Sequence, residues 1–371
     1  VYMTSKILFI TPLPPPVTGQ SLACIELYNY LDKDNNCIID VINLSKQSFI
    51  SGKGSFKRVA EIAGVLLRLL FLRRDYDLIY FTPAESKMGS YKDQLIYLFM
   101  FAKLKKMYIH LHGGAGMKKL LEKDKSLIFK LNKYFISRLA GVIVLGERLK
   151  SIYNGIIESD KIYAVENFSQ DYLFIRQSEL KLKFNNRNKI KILFLSNLLP
   201  GKGYIELLKS ADFLDDSCVE FHFAGGFEDE QAKKIFLEAI NLKNNIFYHG
   251  IVSGDEKRNL LIKSDIFCLP TYYPYEGQPI SILEAYAAGC VVLTTNHSGI
   301  FDVFEPWRNG IEVDKKSTSD LVNAINYFNS NREEIRKIAI NNIVDARKKY
   351  RLKHHLEKMM TVLMNHEVIQ Q

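Results

Sequence analysis

YEGQPISILEAYAAG, residues 275–289, is the most informative segment of this chain. It puts Glu276 in a glycine-containing loop that follows an apolar strand, Ile266 to Leu269. Glu284 comes eight positions later, inside the helix that the rest of the stretch predicts. We therefore expect two carboxylates close to the N-terminus of one helix.

The start of this helix suits a phosphate group. The first N–H groups of a helix have no intrahelical acceptor and the dipole favours negative charge there, which makes the N–H groups of Gly277, Gln278 and Ile280 candidate donors. Pro279 has no N–H, and its fixed φ fits the first helical turn. Carboxylates beside a phosphate are better placed to accept hydrogen bonds from hydroxyl groups on either side of it. A sugar, a pyrophosphate and a ribose fit this pattern, and a pair of solvated surface acids is the alternative.

The stretch resembles the Glu-x7-Glu signature of retaining glycosyltransferases of the family 4 type. Upstream, KILFLSNLLPGKGYIELL (191–208) is similar to the strand, loop and helix that carry the family's phosphate-binding lysine, here Lys202. The resemblance covers the whole C-terminal half, and it marks Gly250 and Val252 as donor-binding positions. Its other segments follow in the family's order: FHFAGG (221–226), IFYHGIV (246–252), SDIFCLP (264–270) and VVLTTNHSGIFDVF (291–304).

One candidate in the N-terminal half is the loop before the first helix. In ITPLPPPVTGQSLACIELYNYL (10–31), a strand runs through a Pro-rich turn into a helix, so that backbone N–H groups near Gly19 meet a helix start. The loop resembles the family's glycine loop near the donor phosphate and the acceptor. This chain has Thr18-Gly19 where the family often has two adjacent glycines.

A second candidate is His112 in YIHLHGGAG (108–116), where it ends a strand and precedes a Gly-rich loop. It matches the family's histidine after the fourth strand, which contacts the donor sugar. Strand alternation gives His110 and His112 the same face, but only His112 adjoins the glycines. We therefore assign the site role to His112.

The chain differs from the family at one position that is expected to bind the pyrophosphate. Family members usually have an arginine directly after a glycine in the strand before the lysine loop, and this chain has Ser196-Asn197 there. Asn197 can donate a neutral hydrogen bond, which is about half as strong as a charge-assisted one. Lys202 then stabilises more of the leaving-group charge, or another cation such as Lys257 or Arg258 enters the site.

The order of elements predicts an α/β fold. Apolar runs alternate with helical patterns in both halves, which is typical of βαβ units and parallel sheets. The resemblance implies the GT-B fold: two Rossmann-like domains facing each other across a cleft, with a long C-terminal helix, Ala346 to His366, crossing back to the first domain. We expect an acceptor-binding domain at 1–170, a nucleotide-sugar-binding domain at 171–345 and the terminal helix at 346–371. The predicted N-terminal strands are Lys6 to Ile10, Ile38 to Ile42, Leu78 to Phe81, Met107 to Leu111 and Gly141 to Leu145.

The resemblance also implies the chemistry. It predicts transfer of a hexosyl or N-acetylhexosaminyl unit from a UDP-sugar, or a GDP-sugar, to a saccharide acceptor with retention of configuration. Lys202 and the helix start stabilise the departing diphosphate, Glu276 holds sugar hydroxyls, and Glu284 holds the ribose. Two alternatives stay open: a nucleotide-sugar epimerase of the same fold, and a non-catalytic carbohydrate- or lipid-binding relative.

Charge and composition bear on partners and location. Residues 1–170 hold 24 Lys and Arg against 15 Asp and Glu, whereas residues 171–371 hold 26 of each. Basic segments that also carry aliphatic and aromatic residues, 56–74 and 98–108, are typical of a surface that lies on anionic lipid. The alternative is that their apolar residues face the core. No zinc-finger or RNA-recognition motif accompanies the charge, so nucleic acid is not an expected partner.

Location and cofactors follow from the remaining patterns. The first apolar run, Ile7 to Ile10, is too short for a secretory signal, and five unpaired cysteines are typical of a reducing compartment. We expect a cytoplasmic enzyme, peripheral on the inner face of the cell membrane, with a lipid-linked acceptor from surface polysaccharide assembly such as capsule or lipopolysaccharide O-antigen. Acidic pairs such as Asp75 and Asp77 are interpreted as turn residues, so neither a metal nor a cofactor is expected.

Overall fold

The computed structural model describes residues 5–34, 36–45, 56–72, 75–122, 126–184 and 188–368, without the side chains of residues 56–61, 70, 71 and 365–368. The chain forms two compact units. One comprises Val1–Glu166 and Leu356–Gln371, and the other comprises Asn167–His355. The two basic residues at 73 and 74, which belong to a segment predicted to lie on lipid, are outside the described residues.

The first unit is built on a six-stranded parallel sheet in the order β2-β1-β3-β4-β5-β6. The strands are β1 Ser5–Thr11, β2 Cys37–Asn43, β3 Leu78–Phe81, β4 Met107–Leu111, β5 Gly141–Val144 and β6 Ile162–Ala164. The inner strands β1, β3, β4 and β5 are mostly buried, as expected for a parallel sheet that is covered by helices. The helices are α1 Gly19–Asp32, α2 Phe56–Phe71, α3 Lys87–Phe99, α4 Ala115–Leu121, α5 Leu127–Ile136 and α6 Glu147–Lys150, with a 3-10 helix at Phe101–Lys106 between α3 and β4.

The second unit has another six-stranded parallel sheet, in the order β12-β11-β10-β7-β8-β9. Its strands are β7 Ile190–Leu195, β8 Val219–Ala224, β9 Ile246–Tyr248, β10 Ile266–Leu269, β11 Val291–Thr294 and β12 Gly310–Glu312. The helices are α7 Gln177–Lys183, α8 Tyr204–Ser210, α9 Glu230–Ile240, α10 Gly254–Lys263, α11 Ile280–Ala287, α12 Thr318–Ser330 and α13 Arg332–Lys349. Each residue of α11 except Ser281 is buried, because the helix packs between the sheet and α13.

The five predicted N-terminal strands are confirmed to within one residue at each end. The prediction of one helix from Ala346 to His366 is wrong. The chain forms α13 and then α14, Leu352–Val368, with a break at Tyr350 and Arg351. There the Tyr350 carbonyl accepts a hydrogen bond from the Ser169 N–H at 2.7 Å, a tertiary contact that replaces helical pairing. Among the helices within the described ranges, none has the length and apolar composition needed to cross a membrane.

Candidate functional site

The carboxyl ends of β7 and β10 define the site in the second unit. Strands β8 and β9 follow β7 on one side of the sheet, whereas β10, β11 and β12 lie on the other. In open parallel sheets, ligands bind beyond the carboxyl ends of the strands at such a reversal of strand order. β7 and β10 pair directly, with Ile192 opposite Ile266. The loops that follow these two strands carry Lys202 and Glu276.

Backbone contacts join the two loops. The Tyr272 N–H donates to the Gly201 carbonyl at 2.7 Å. Gly203 has φ +87°, and a Cβ there would lie 2.5 Å from the Pro270 carbonyl oxygen. Because only glycine tolerates both the left-handed conformation and this approach, Gly203 fixes Lys202 against the end of β10.

Lys202 and Glu276 form a nearly buried ion pair. Lys202 Nζ lies 2.7 Å from Glu276 Oε2, and the Thr271 hydroxyl donates to the same oxygen at 3.1 Å. The ammonium also lies 4.9 Å from the centre of the Tyr273 ring. One carboxylate thus has a fixed orientation beside a cation, which is the arrangement needed where a sugar hydroxyl adjoins a diphosphate.

A loop after β11 holds the backbone of Glu276; the sequence placed this segment in the resemblance but named no site residue in it. The Ser298 hydroxyl donates to the Glu276 carbonyl at 2.7 Å, and the Gly299 N–H donates to the Gly277 carbonyl at 3.0 Å. His297 Nε2 lies 2.7 Å from the Tyr273 carbonyl and, since a carbonyl only accepts, carries the proton. Burial lowers the pKa of His297, so its ring is neutral near pH 7. The polar run TNHSG after a buried strand was the available signal.

Glu284 is buried inside α11 and paired with a lysine. Its Oε1 lies 2.6 Å from Lys257 Nζ, at the start of α10. The alternative in which the two glutamates are solvated surface acids is therefore wrong for Glu284, which is buried. Of the two cations considered as substitutes for the missing arginine, Lys257 is at this carboxylate. Arg258 instead makes two 2.8 Å bonds to Glu179, which lowers the pKa of that carboxyl to about 2.

The start of α11 lies one residue after the prediction, which had Pro279 in the first helical turn. Pro279 is the N-cap, and the helix begins at Ile280. The Gln278 side chain is part of the support, because its Oε1 accepts a 2.7 Å hydrogen bond from the Asn167 N–H. The Asn167 amide in turn donates to the Gln278 carbonyl at 2.7 Å. These two bonds hold the backbone segment that carries the N–H groups of Gly277, Gln278 and Ile280.

The remaining donor candidates lie at the ends of β7 and β9. Asn197 lies beside Gly225 and Gly226, and the Gly225 N–H donates to the Gly250 carbonyl at 2.7 Å. Gly250 has φ +70° with open space where a side chain would project. Val252 is half-buried and packs on the core. The loops that carry these candidates all follow carboxyl ends of strands in the same sheet.

Within the first unit, the structure places His112 next to the helix that begins at Gly19. His112 follows β4, and its Nε2 lies 3.9 Å from Sγ of Cys24 in α1. The rings of His110 and His112 are 4.0 Å apart, as expected for residues on one strand face. His110 is buried with its Nδ1 2.7 Å from the Tyr80 hydroxyl, a structural role. Thr18 caps α1 by accepting the Ser21 N–H at 3.1 Å.

Glu85, in the loop after β3, is a carboxyl group that the sequence reasoning missed. It accepts the Met117 N–H at 3.2 Å and lies so close to Gly113 that any side chain at that position would displace it. Burial raises the pKa of Glu85 to about 7. A titratable group therefore adjoins the loop that carries His112. Within the residues described, no cluster of three or more His, Cys, Asp or Glu is arranged to hold a metal ion.

Comparisons with known proteins agree with this geometry. Residues 176–344 match the family model described as glycosyl transferases group 1. The chain is 26% identical over 250 residues to the uncharacterized glycosyltransferase MJ1069 of Methanocaldococcus jannaschii, covering 61% of each chain. It is 29% identical over 177 residues to a Campylobacter jejuni N,N'-diacetylbacillosaminyl-diphospho-undecaprenol alpha-1,3-N-acetylgalactosaminyltransferase, covering 47% of this chain and 45% of the relative. The match thus spans about half to three fifths of these relatives' length.

A solved structure shares the fold over nearly the whole chain. Anabaena Alr3699/HepE, in complex with UDP and glucose, superposes with a TM-score of 0.72 at 17% identity, covering 97% of this chain and all of that one. At this identity the likeness shows the fold alone. Residues 176–344 therefore match the glycosyl transferases group 1 family model, and the two parallel α/β sheets, with the solved structure that shares them, show a GT-B fold.

Proposed function

We propose that the chain is a retaining glycosyltransferase that transfers a hexosyl or N-acetylhexosaminyl unit from a UDP-sugar to a lipid-linked saccharide. One observation carries the proposal: each carboxylate of the Glu-x7-Glu pair is buried and bound to its own lysine, Lys202 on Glu276 and Lys257 on Glu284. Solvated acids would need no such partners. The paired groups lie where parallel sheets bind nucleotides.

When the donor binds, the ion pair between Lys202 and Glu276 is replaced by contacts of each residue with the donor. The diphosphate takes the Lys202 ammonium and the N–H groups at the start of α11, and Glu276 is then free to accept hydrogen bonds from sugar hydroxyls. Negative charge that grows on the leaving diphosphate is stabilised by the same lysine. His112 contacts the donor sugar, and Glu284 accepts hydrogen bonds from the ribose. No residue is assigned as a general base, because the leaving phosphate takes the acceptor proton.

Two of the similar proteins support the choice of a UDP-sugar as donor and of a lipid-linked saccharide as acceptor. UDP is bound by the Anabaena protein of the same fold, and the Campylobacter relative has an acceptor name that contains diphospho-undecaprenol. We assign donor binding to residues 171–345 and acceptor binding to residues 1–170, whose excess of Lys and Arg favours an anionic partner. The enzyme acts without a metal, at the inner face of the membrane, in assembly of a surface polysaccharide.

Release of nucleoside diphosphate from a panel of UDP- and GDP-sugars, with and without EDTA, tests the proposal. An extract of lipid-linked saccharides serves as acceptor. We expect one UDP-sugar to release UDP, the release to survive EDTA, and the product to keep the donor's anomeric configuration by NMR. An epimerase would isomerise the sugar without acceptor. A binding protein would hold UDP but release none.

Glu284→Gln is expected to weaken UDP binding by about tenfold and to change kcat little, because a charge-assisted hydrogen bond to the ribose becomes a neutral one. Isothermal calorimetry with UDP and with its 2′-deoxy and 3′-deoxy analogues measures this. The analogue that lacks the hydroxyl group bound by Glu284 should have the same affinity for wild type and variant. Glu238→Gln, at an exposed position of α9, is the matched control. Equal losses for UDP and both analogues would contradict the ribose assignment.

A further inference from the structure

The inner face of α3 combines polar residues with the buried apolar residues Ile96 and Tyr97. Three of the residues that the helix turns toward the interior are polar, Ser90, Asp93 and Gln94, and all are buried. They are satisfied there: the Asp93 carboxylate accepts the Ala84 N–H at 2.6 Å, and Ser90 accepts a 3.0 Å bond from the Asn132 amide of α5. A surface helix of a water-soluble protein normally has polar residues on its outer face. The outer face of α3 is therefore the unusual one.

That outer face is a stripe of large apolar residues. They recur at the spacing of one helical face and continue into the 3-10 helix and α5. We call them the α3 stripe, and they are Met88 (73% exposed), Tyr91 (44%), Leu95 (40%), Leu98 (58%), Phe99 (42%), Phe101 (47%) and Tyr134 (43%). The rings of Phe101 and Tyr134 stack with centroids 6.3 Å apart, which joins the two helices into one surface. Contiguous exposed apolar surface of this kind marks an interaction site.

Charges around the stripe select the kind of partner. The two segments that carry the stripe, residues 87–106 and 126–138, hold eight Lys and Arg against one acidic residue, the buried Asp93. The Arg138 guanidinium lies 3.8 Å from the centre of the Tyr134 ring, and Lys130 and Lys133 are exposed on α5. Apolar and aromatic side chains with a basic rim fit the headgroup region of an anionic bilayer, where aromatic rings insert and long basic side chains reach phosphates.

We propose that the α3 stripe is the surface by which this chain docks on anionic lipid. The inference deepens the proposed membrane location by naming the surface. The stripe includes part of one of the two basic segments that the sequence suggested, residues 98–108. The other basic segment, residues 56–74, includes α2. There Val65, Leu66 and Leu69 pack on the core, whereas Leu67 is more than half exposed.

Flotation of the full chain with liposomes tests the proposal. At low salt we expect at least tenfold more binding to vesicles with 30% phosphatidylglycerol than to pure phosphatidylcholine, and loss of most binding at high salt. The double variant Leu95→Ser/Leu98→Ser should lose at least tenfold, and Lys130→Gln/Lys133→Gln should lose the preference for anionic lipid. Ile235→Ser/Leu242→Ser, with residues 60% and 92% exposed in the second unit, is the matched control and should bind as wild type.

A second measurement avoids dependence on destabilised variants. With the single tryptophan removed by Trp307→Phe, the fluorescence of Leu98→Trp should be quenched by brominated lipid and that of Leu242→Trp should not. Equal quenching, or unchanged flotation of Leu95→Ser/Leu98→Ser, would overturn the proposal. So would a wild-type dimer that this variant converts to a monomer, because the stripe would then bind a second copy. UDP affinity of the stripe variant should stay at the wild-type value, so a failed donor assignment and a failed docking surface give different results.

Discussion

Glu276→Gln should lower kcat about 100-fold or more while the fold and UDP affinity stay close to wild type. The amide keeps the shape of the carboxylate but loses its charge, so that its contacts with the sugar hydroxyls are weaker. Those contacts matter most while the glycosidic bond breaks, which is why kcat falls more than affinity. Initial rates of UDP release at saturating donor measure the effect.

The control for Glu276→Gln is Glu238→Gln, which changes the same groups on an exposed face of α9 and should leave kcat unchanged. Thermal unfolding and UDP calorimetry separate a lost catalytic contact from a lost fold. A kcat within fivefold of wild type, in a variant that unfolds at the wild-type temperature, would remove Glu276 from the mechanism.

Lys202→Met should cause the largest loss, on the order of 100- to 1,000-fold in kcat, because a site that lacks the family's arginine has fewer cations for the leaving diphosphate. Removing the ammonium also leaves the buried Glu276 carboxylate without its partner. The substitution should weaken the binding of UDP more than that of UMP or uridine, because the lost contact is to the terminal phosphate of UDP. Calorimetry with UDP, UMP and uridine, beside the kinetic measurement, resolves this.

A double-mutant cycle with Lys202→Met/Glu276→Gln tests whether the two residues act as a unit. We expect the combined variant to be far more active than the product of the single effects, as neighbours in one ion pair are coupled. Lys234→Met, at an exposed position of α9, is the matched control for the loss of a lysine. Additive losses would show that the ion pair between Lys202 and Glu276 does not couple the two residues energetically.

Much of the fold was predictable because it depends on local patterns. The five N-terminal strands are short apolar runs bounded by polar residues, and burial of a parallel sheet on both faces demands such runs. The long terminal helix was mispredicted for the opposite reason. Residues 346–366 have helical periodicity throughout, but the break at Tyr350 comes from a hydrogen bond to Ser169, far away in the sequence.

The sequence by itself determined the chemistry available to this protein: two acids eight positions apart at a helix start, a lysine between glycines, and alternating α/β elements. The ion-pair partners of the two glutamates depend on the tertiary structure, because strand order brings together residues that no local pattern links. Lys202 meets Glu276 across 74 positions, and Lys257 meets Glu284 across 27. The same holds for α3, whose buried polar residues are stable only because α5 and the loop before α3 supply hydrogen-bond partners for Ser90 and Asp93.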